Sequence, residues 1–573
     1  MVLNIKNFRY LFFFLLLMIL SCGSAPEQTA ESVDIIETPQ PAHPPAGITQ
    51  HPGGLADEIR NLTETGILSS MLHAIELIRS RDLSGSEFGR MMSGVNTLLI
   101  RLVYPDSLAR LPVVDLPQTS NYTRIIREAE RGNYSRPHSD STDFLEHILP
   151  FLAFNQADED MWPVILTDLN KAGLLKPGSV LPPFFKGIIY ERAENPREAR
   201  DAYILAFNIS GDFYPARVGI ARVTRILEEP QEAVDILSEL VVIYPDSIEI
   251  KKELALSYFN NRDWSRALPA IDEILRVDAR NGDFLLMRAV ILLDQGNYAQ
   301  VNAALDNYAA INTTNRDYLY MRAKVQADGN RNRDAALNYL RSILRTDPND
   351  EEALVFAVTL LMDSQRAADL TEGRELLTRL RQIAGASLDV LSLSLRDAVR
   401  RESWQEAQRY LNSILAVRRT VSDLTDGYNV ERGLGNNARA LTFARELYER
   451  DMSNNDYTAI YISALIDNGR RDEASSLIES RLNSVTNTQL KSRFFFLRSR
   501  LRANHDDALS DLRSSLFEDP RNLDAIIAML EIYHNNREER RAVYYLRQAL
   551  AIAPDHPLLR RYETEYASLL GRN

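Results

Sequence analysis

Near its C-terminus the chain reads RRAVYYLRQALAIAPDH (Arg540–His556), and one similar stretch upstream reads DDALSDLRSSLFEDPRN (Asp506–Asn522). Each segment has an alanine, apolar residues four and eight positions later, and a proline twelve positions later. In the later segment Ala542, Leu546 and Leu550 fall on one face of a helix. Because proline cannot continue a helix interior, each segment predicts one amphipathic helix that stops at its proline.

The small residue of this pattern recurs through most of the chain. One series with steps of 34 consists of Ala199, Ala233, Ala267, Val301 and Ala335. A second series, with steps of 33 or 34, consists of Ala407, Ala440, Ala474, Ala508 and Ala542. The interval between the two series, from Ala335 to Ala407, is two such steps plus four, which predicts two repeats and a four-residue insertion near positions 363–373. A fixed period of this length is typical of stacked helical repeats.

This pattern resembles the tetratricopeptide repeat, a 34-residue helix–turn–helix unit with a small residue in each helix and a proline at its end. Tyr258 and Tyr533 stand at the family's aromatic position in the first helix. The resemblance covers residues 181–556, about eleven repeats. It implies an all-α fold, a right-handed superhelical solenoid of these repeats behind an N-terminal helical region, and a role in protein binding.

The segments on either side of the array have weaker patterns. Residues 55–145 predict a helical region, in which Ser84 and Glu87 form a capping box and the proline-rich stretch 104–143 is an irregular loop. Residues 146–180 predict a degenerate repeat, because Ile165, Leu169 and Ala172 keep its spacing. Residues 557–573 predict a helix that caps the open end of the array.

The only cysteine, Cys22, lies in FFFLLLMILSCGSAP (Phe12–Pro26). Basic residues precede an apolar run that is too short to span a bilayer, so residues 1–21 predict a signal peptide. Residues 19–23 resemble the lipobox of bacterial lipoproteins, which implies that Cys22 carries the lipid anchor. The alternative is an ordinary signal peptide beside an unmodified cysteine. Residues 22–54 are rich in proline and predict a disordered tether.

The lipoprotein resemblance also bears on location. It implies the cell envelope, and the absence of aspartate directly after Cys22 favours the outer membrane over the inner one. Whether the protein faces the periplasm or the cell surface is left open.

The composition excludes several classes of function. The formal net charge is −13, which disfavours nucleic acid as a partner because such binding needs clustered cations. The eight histidines are scattered, and no pattern of catalytic, cofactor-binding or metal-binding residues occurs. We therefore expect no enzyme, no cofactor and no metal site.

The tetratricopeptide resemblance also implies a binding surface. In that family positions 2, 5, 9, 12 and 13 of each first helix form the concave face. The basic and amide residues that fall at these positions are Arg222, Arg225, Lys252, Lys324, Asn429, Arg432, Arg493 and Arg500. They predict a surface that receives the carboxylates of an extended peptide. A mixed, solvated surface is the alternative, because acidic residues map to the same face: Glu191, Asp294, Asp328, Asp467 and Glu531.

The sequence thus predicts a lipid-anchored scaffold of the bacterial cell envelope that assembles or recruits envelope complexes. Its expected partners are other envelope proteins or peptides, and the membrane through Cys22. Two alternatives remain open: a surface-exposed adhesin, and a ligand-binding accessory lipoprotein of a transporter.

Overall fold

The computed structural model describes residues 54–107, 111–138 and 140–570. All regular secondary structure in these residues is helical, which confirms the all-α prediction. None of the described helices is both long enough and apolar enough to cross a membrane. The predicted signal peptide, Cys22 and the predicted tether up to residue 53 lie outside the described residues.

The chain divides at residue 185 into two compact units. The first unit ends within the first turns of α7 (Leu181–Arg192). Its other helices are α1 (Leu55–Glu64), α2 (Leu68–Ser80), α3 (Glu87–Val103), α4 (Asn121–Glu130), α5 (Phe144–Ile148), the 3₁₀ helices Leu149–Gln156 and Glu159–Met161, and α6 (Trp162–Leu175).

Helix α3 begins two residues later than the sequence predicted. Its N-cap is Ser86, whose hydroxyl accepts a hydrogen bond from the Gly89 amide at 3.0 Å, so the capping box expected at Ser84 does not form. The physical reason is a preceding turn. Asp82 has a left-handed φ of 55°, and the Ser86 amide donates to the Leu83 carbonyl at 2.9 Å.

Helix α4 lies inside the stretch that was expected to be an irregular loop. Tyr122, Ile125, Ile126 and Ala129 are buried and follow the i, i+3, i+4, i+7 spacing of one helical face. The prolines flank this helix without entering it. Further along, in the segment predicted as a degenerate repeat, α6 packs against the short α5, and its residues Ile165, Leu169 and Ala172 are fully buried.

From residue 181 onward the helices form successive pairs, each with a first and a second member. Among the described residues there are eleven such pairs, numbered here as repeats 1 to 11. They are α7 with α8 (Pro196–Ile209), α9 (Tyr214–Ile226) with α10 (Pro230–Ile243), α11 (Ile248–Asn260) with α12 (Trp264–Val277), α13 (Gly282–Asp294) with α14 (Tyr298–Ala309), α15 (Arg316–Lys324) with α16 (Arg333–Thr346), α17 (Glu351–Met362) with α18 (Ala367–Ala384), α19 (Leu388–Arg400) with α20 (Trp404–Leu415), α21 (Val421–Gly433) with α22 (Asn437–Arg450), α23 (Asn455–Asp467) with α24 (Arg471–Ser484), α25 (Thr488–Ser499) with α26 (His505–Glu518), and α27 (Leu523–Asn535) with α28 (Glu539–Ile552). The helices α29 (Pro557–Glu565) and α30 (Ala567–Leu570) follow the last pair.

Small side chains allow the helices of a pair to approach closely. Ala199, Ala233 and Ala267 are fully buried at the same position of successive second helices. Tyr203 on α8 fills the space left by two glycines: a Cβ atom at Gly187 or Gly219 would lie only 2.5 or 2.8 Å from its ring. Such contacts are shorter than packed carbon atoms tolerate, so these positions must stay small.

The predicted four-residue insertion is present but split between two repeats. A π-helix at Val325–Gly329 adds one residue, so the fully buried small residue is Ala336, and the half-buried Ala335 was assigned wrongly. Three more residues lengthen α18, which has 18 residues. There Gly373 takes the small position, with its would-be Cβ 3.1 Å from Leu361. The sequence period gives the number of extra residues but not their positions. A helix accommodates an extra residue by a local change in its backbone hydrogen bonds, and the sequence pattern does not show where this happens.

The adjacent alanines provide a test of this register. We expect Ala336→Leu to destabilise the protein by about 1–3 kcal/mol, because extra methyl groups must be forced into a packed interface. Ala335→Leu is the matched control and should change the free energy of unfolding by less than about 0.5 kcal/mol. Urea denaturation followed by circular dichroism measures both. Equal effects at the two positions would contradict the assigned register.

Candidate interaction surface

The first helices present one face in a regular register. Side chains of Ser247, Asn281, Asn315, Asp350 and Ser387 cap successive first helices by accepting hydrogen bonds from backbone amides. Counting each N-cap as position 0, we call the residues at positions 2, 5, 9, 12 and 13 the first-helix face. The residues predicted to bind a peptide lie at these positions or next to them.

Arg222 and Arg225, the first predicted binding residues, are engaged within the array. The Arg222 side chain is 11% exposed, and its Nε lies 2.7 Å from Glu191 of repeat 1. Its Nη1 lies 3.4 Å from Glu253 of repeat 3 and 3.7 Å from Glu249. Arg225 lies 3.2 Å from Glu253. Burial lowers the pKa of Arg222, but Glu191 and Glu253 outweigh this and hold it well above its ordinary value. These two arginines thus link repeats 1 to 3, which weighs against the expectation that they receive a partner's carboxylates.

Arg432, Arg493 and Arg500 form looser pairs. Arg432 and Arg500 both reach Asp467, at 3.4 and 2.6 Å, and Arg493 reaches Asp456 at 2.9 Å. The side chains of Arg432 and Arg493 are 51% and 42% exposed. Solvent-exposed ion pairs contribute little to the stability of a protein. These two arginines can therefore exchange their present partners for a ligand's carboxylates at a small cost in free energy.

The other predicted residues have different surroundings. The Lys324 ammonium lies 4.3 Å from the centre of the Phe356 ring, a cation–π contact between repeats 5 and 6. Asn429 is exposed, and Lys252 is half-buried. The structure therefore does not bring the eight predicted residues together into one cationic surface.

Sequence reasoning missed a row of acidic residues at position 2. They are Glu249, Asp283, Asp317, Glu352, Asp389, Asp456 and Asp524. The signal was an acidic residue two positions after an N-cap, repeated in most of the first helices. Carboxylates in the first turn stabilise a helix by interacting with its dipole, and this explains why acidic residues stand at position 2. It does not explain why some of these carboxylates are not neutralised by a nearby cation.

The first-helix face of repeats 3 to 6 has an excess of negative charge. Its five positions hold seven carboxylates and two lysines, a net charge of −5. Arg222, Arg316 and Arg396 reach these carboxylates from other positions, at 3.7 Å from Glu249, 3.1 Å from Asp317 and 3.0 Å from Asp363. Counting these three cations, the net charge is still −2. In repeats 3 to 6 the sign of the surface is the reverse of the predicted one.

Among the half-buried carboxylates on the first helices, Asp283, Asp389 and Asp426 have raised pKa values, as do Glu351 and Glu352. Burial raises the pKa of Asp283, and no neighbouring cation opposes this shift. Burial also raises the pKa of Asp389, although Arg418 opposes it. For Asp426 burial and then the charge of Asp423 raise the pKa, against Arg396 and Arg418. Each carboxylate has lost solvation that a cation from outside can replace.

These features define a repeat protein whose helix pairs present a continuous surface. In the described residues no group of three or more His, Cys, Asp or Glu side chains could hold a metal ion. Residues 252–311, which include most of α11 and all of α12 to α14, match the family model described as Tetratricopeptide repeat. The chain thus contains tetratricopeptide repeats in this segment.

Solved structures of similar architecture cover parts of the chain. PilF of Pseudomonas aeruginosa is 19% identical with a TM-score of 0.33, over 37% of this chain and 96% of its own. PilW, a widely conserved type IV pilus biogenesis factor, is 16% identical with a TM-score of 0.32, over 36% of this chain and 94% of its own. TTC0263 of Thermus thermophilus is 17% identical with a TM-score of 0.27, over 32% and 100%. No curated protein sequence matches the chain.

The buried ion pairs lead to a comparison of two arginines. We expect Arg222→Ala to cost about 3–5 kcal/mol, because it leaves the nearly buried Glu191 without its cation and removes one of the two arginines that pair with the buried Glu253. Arg493→Ala removes an exposed pair and should cost about 0–1 kcal/mol. Native-state hydrogen exchange of α9 and α11 measures the first change, and that of α23 and α25 the second. A similar loss of protection in both variants would contradict the assignment of Arg222 as a structural link.

Proposed function

We propose that the chain is a lipid-anchored, non-enzymatic scaffold of the bacterial cell envelope, which assembles or recruits envelope complexes through its first-helix face. The observation that carries this proposal is the uncompensated negative charge on that face in repeats 3 to 6. A stacked repeat array offers an extended surface for a partner, and its charge selects the partner.

The charge defines the chemistry of the partner. A segment with lysine or arginine side chains neutralises the carboxylates of this face and replaces the solvation that Asp283 has lost. Arg432 and Arg493 provide the opposite charge in later repeats, where their exposed pairs can open for a carboxylate. The best partner is therefore a segment that has a cationic part for repeats 3 to 6 and an acidic part for the later repeats. This asymmetry fixes the direction in which the segment lies along the array.

The proposed anchor rests on Cys22 and on the lipobox resemblance around it. A lipid on this residue would hold the array at a membrane without a spanning helix. The outer membrane is the favoured location, since glycine and serine follow Cys22.

Acylation can be tested directly. We expect the wild-type protein to incorporate an alkyne-labelled fatty acid during growth and to sediment with the membrane fraction. Cys22→Ala should lose the label and leave this fraction, because no other thiol is present in the chain. Labelling that survives Cys22→Ala would refute the anchor, whereas the face-binding test below would stand unaffected.

Partner binding can be tested by changing charge on the face alone. We expect Asp283→Asn, Asp294→Asn and Asp328→Asn together to reduce the recovery of a crosslinked envelope partner at least tenfold. The reason is that the combined variant removes three negative charges from face positions within repeats 3 to 6 while keeping the shapes of the side chains. The measurement is quantitative mass spectrometry after crosslinking in intact cells.

A matched triple variant controls for net charge. Asp201→Asn, Glu449→Gln and Asp472→Asn remove the same charge from exposed sites on second helices. This control should recover the partner as the wild type does, and salt should weaken the wild-type complex. Equal losses in both triple variants would mean that only overall charge matters, and the proposed face would be wrong.

A further inference from the structure

A cleft lies between repeats 7 and 8, on the side formed by their second helices α20 and α22. Its volume is about 420 Å³, within the range that small ligands occupy. Leu415 and Ala416 at the end of α20 and Phe443 on α22 supply its apolar walls. Arg419 and Arg439 line it as well. It belongs to second helices, so it is separate from the first-helix face.

The apolar wall is held in place by close packing. Phe443 is only 6% exposed, and a Cβ atom at Gly427 would lie 2.8 Å from its ring. The ring therefore rests directly on the backbone of α21. The Arg419 guanidinium lies 5.4 Å from the ring centre. An apolar group that enters the cleft meets a surface that is already ordered.

Carboxylates hold the two arginines in place, and each arginine keeps N–H groups that can donate hydrogen bonds to a ligand. Arg419 uses Nε and Nη2 for Glu446, with Nε 2.8 Å from Oε1. Its Nη1 donates no hydrogen bond within the described residues. Arg439 is 55% exposed and uses Nη1 for Glu431 at 3.1 Å. Both guanidinium groups are thus fixed on one side, and each has N–H groups left for a ligand.

The charge of the cleft is positive in an acidic protein. Arg419, Arg439 and Arg450 face two carboxylates, Glu431 and Glu446, which gives a local net charge of +1. Glu431 is fully buried, and its oxygens also accept hydrogen bonds from Gln408 at 2.9 Å and Asn436 at 2.8 Å. It therefore stays satisfied when Arg439 shares its charge with a ligand.

We propose that this cleft binds a carboxylate carried on an apolar body. The carboxylate lies between Arg419 and Arg439, where bidentate hydrogen bonds are available. The apolar body covers Phe443, Leu415 and Ala416. Two sources supply this chemistry: a free amphiphilic acid, or the C-terminal apolar residue of another chain.

The test uses the purified full-length protein and small probes in calorimetric titrations. We expect 4-phenylbutanoate to bind with 1:1 stoichiometry and at least tenfold more tightly than 4-phenylbutanamide, with no binding of 4-phenylbutylammonium. The peptide Gly-Ser-Gly-Leu-Phe, with a free or an amidated C-terminus, forms the second arm. Binding of the free-ended peptide alone points to a chain terminus. Binding of phenylbutanoate alone points to a free acid.

Two variants with matched controls locate the site. Ala416→Trp fills the cleft and should weaken binding at least tenfold. Ala310→Trp is its control, because Ala310 follows α14 at the same place in repeat 4 with a similar backbone conformation. Arg439→Gln should weaken binding of the carboxylate at least tenfold, whereas Arg445→Gln, at an exposed site on the same helix, should not. The proposal fails if neither probe binds, if the amide binds as well as the acid, or if Ala416→Trp binds as tightly as Ala310→Trp.

Discussion

One backbone turn, repeated between the two helices of a pair, sets the geometry of the array. In eight of the eleven described pairs the second residue after the first helix has a left-handed φ, such as 58° at Glu194 and 74° at Gly435. The next amide then donates back across the turn, as Asn195 does to Tyr190 at 2.9 Å. This Schellman hydrogen bond ends the first helix and reverses the chain within a few residues. The close packing within each pair depends on it.

The charge of the first-helix face depends on the ion pairs that join neighbouring repeats. The chain has 58 arginines and 8 lysines, and arginine carries most of the ion pairs between neighbouring repeats. Arg288 pairs with Asp272 at 2.8 Å, and at the equivalent place in the next repeat Arg322 pairs with Asp306. The planar guanidinium suits such fixed pairs better than an ammonium group. Because so many cations are used in joining repeats, the first-helix face of repeats 3 to 6 is left acidic.

The two proposed surfaces therefore differ in sign and in construction. The first-helix face spans several repeats, and half-buried carboxylates such as Asp283 give it a preference for cationic partners. The cleft is confined to repeats 7 and 8, where Arg419 and Arg439 surround an apolar wall. An anionic ligand and a cationic partner have no site in common. One protein can thus bind two kinds of ligand without competition between them.

The sequence by itself determined the repeat, the all-α class and the total length of the insertion. The reason is that the buried small residues recur at a nearly fixed spacing, which can be read directly along the chain. Only the tertiary structure decided where the insertion falls and which charges are free. Five of the eight left-handed turns use glutamate or arginine in place of glycine, as at Glu228 and Arg262, so no turn signal marks them. Arg222 and Arg493 look alike in sequence. One is nearly buried between two glutamates and the other is exposed, because the availability of a charge depends on neighbours contributed by the adjacent repeats.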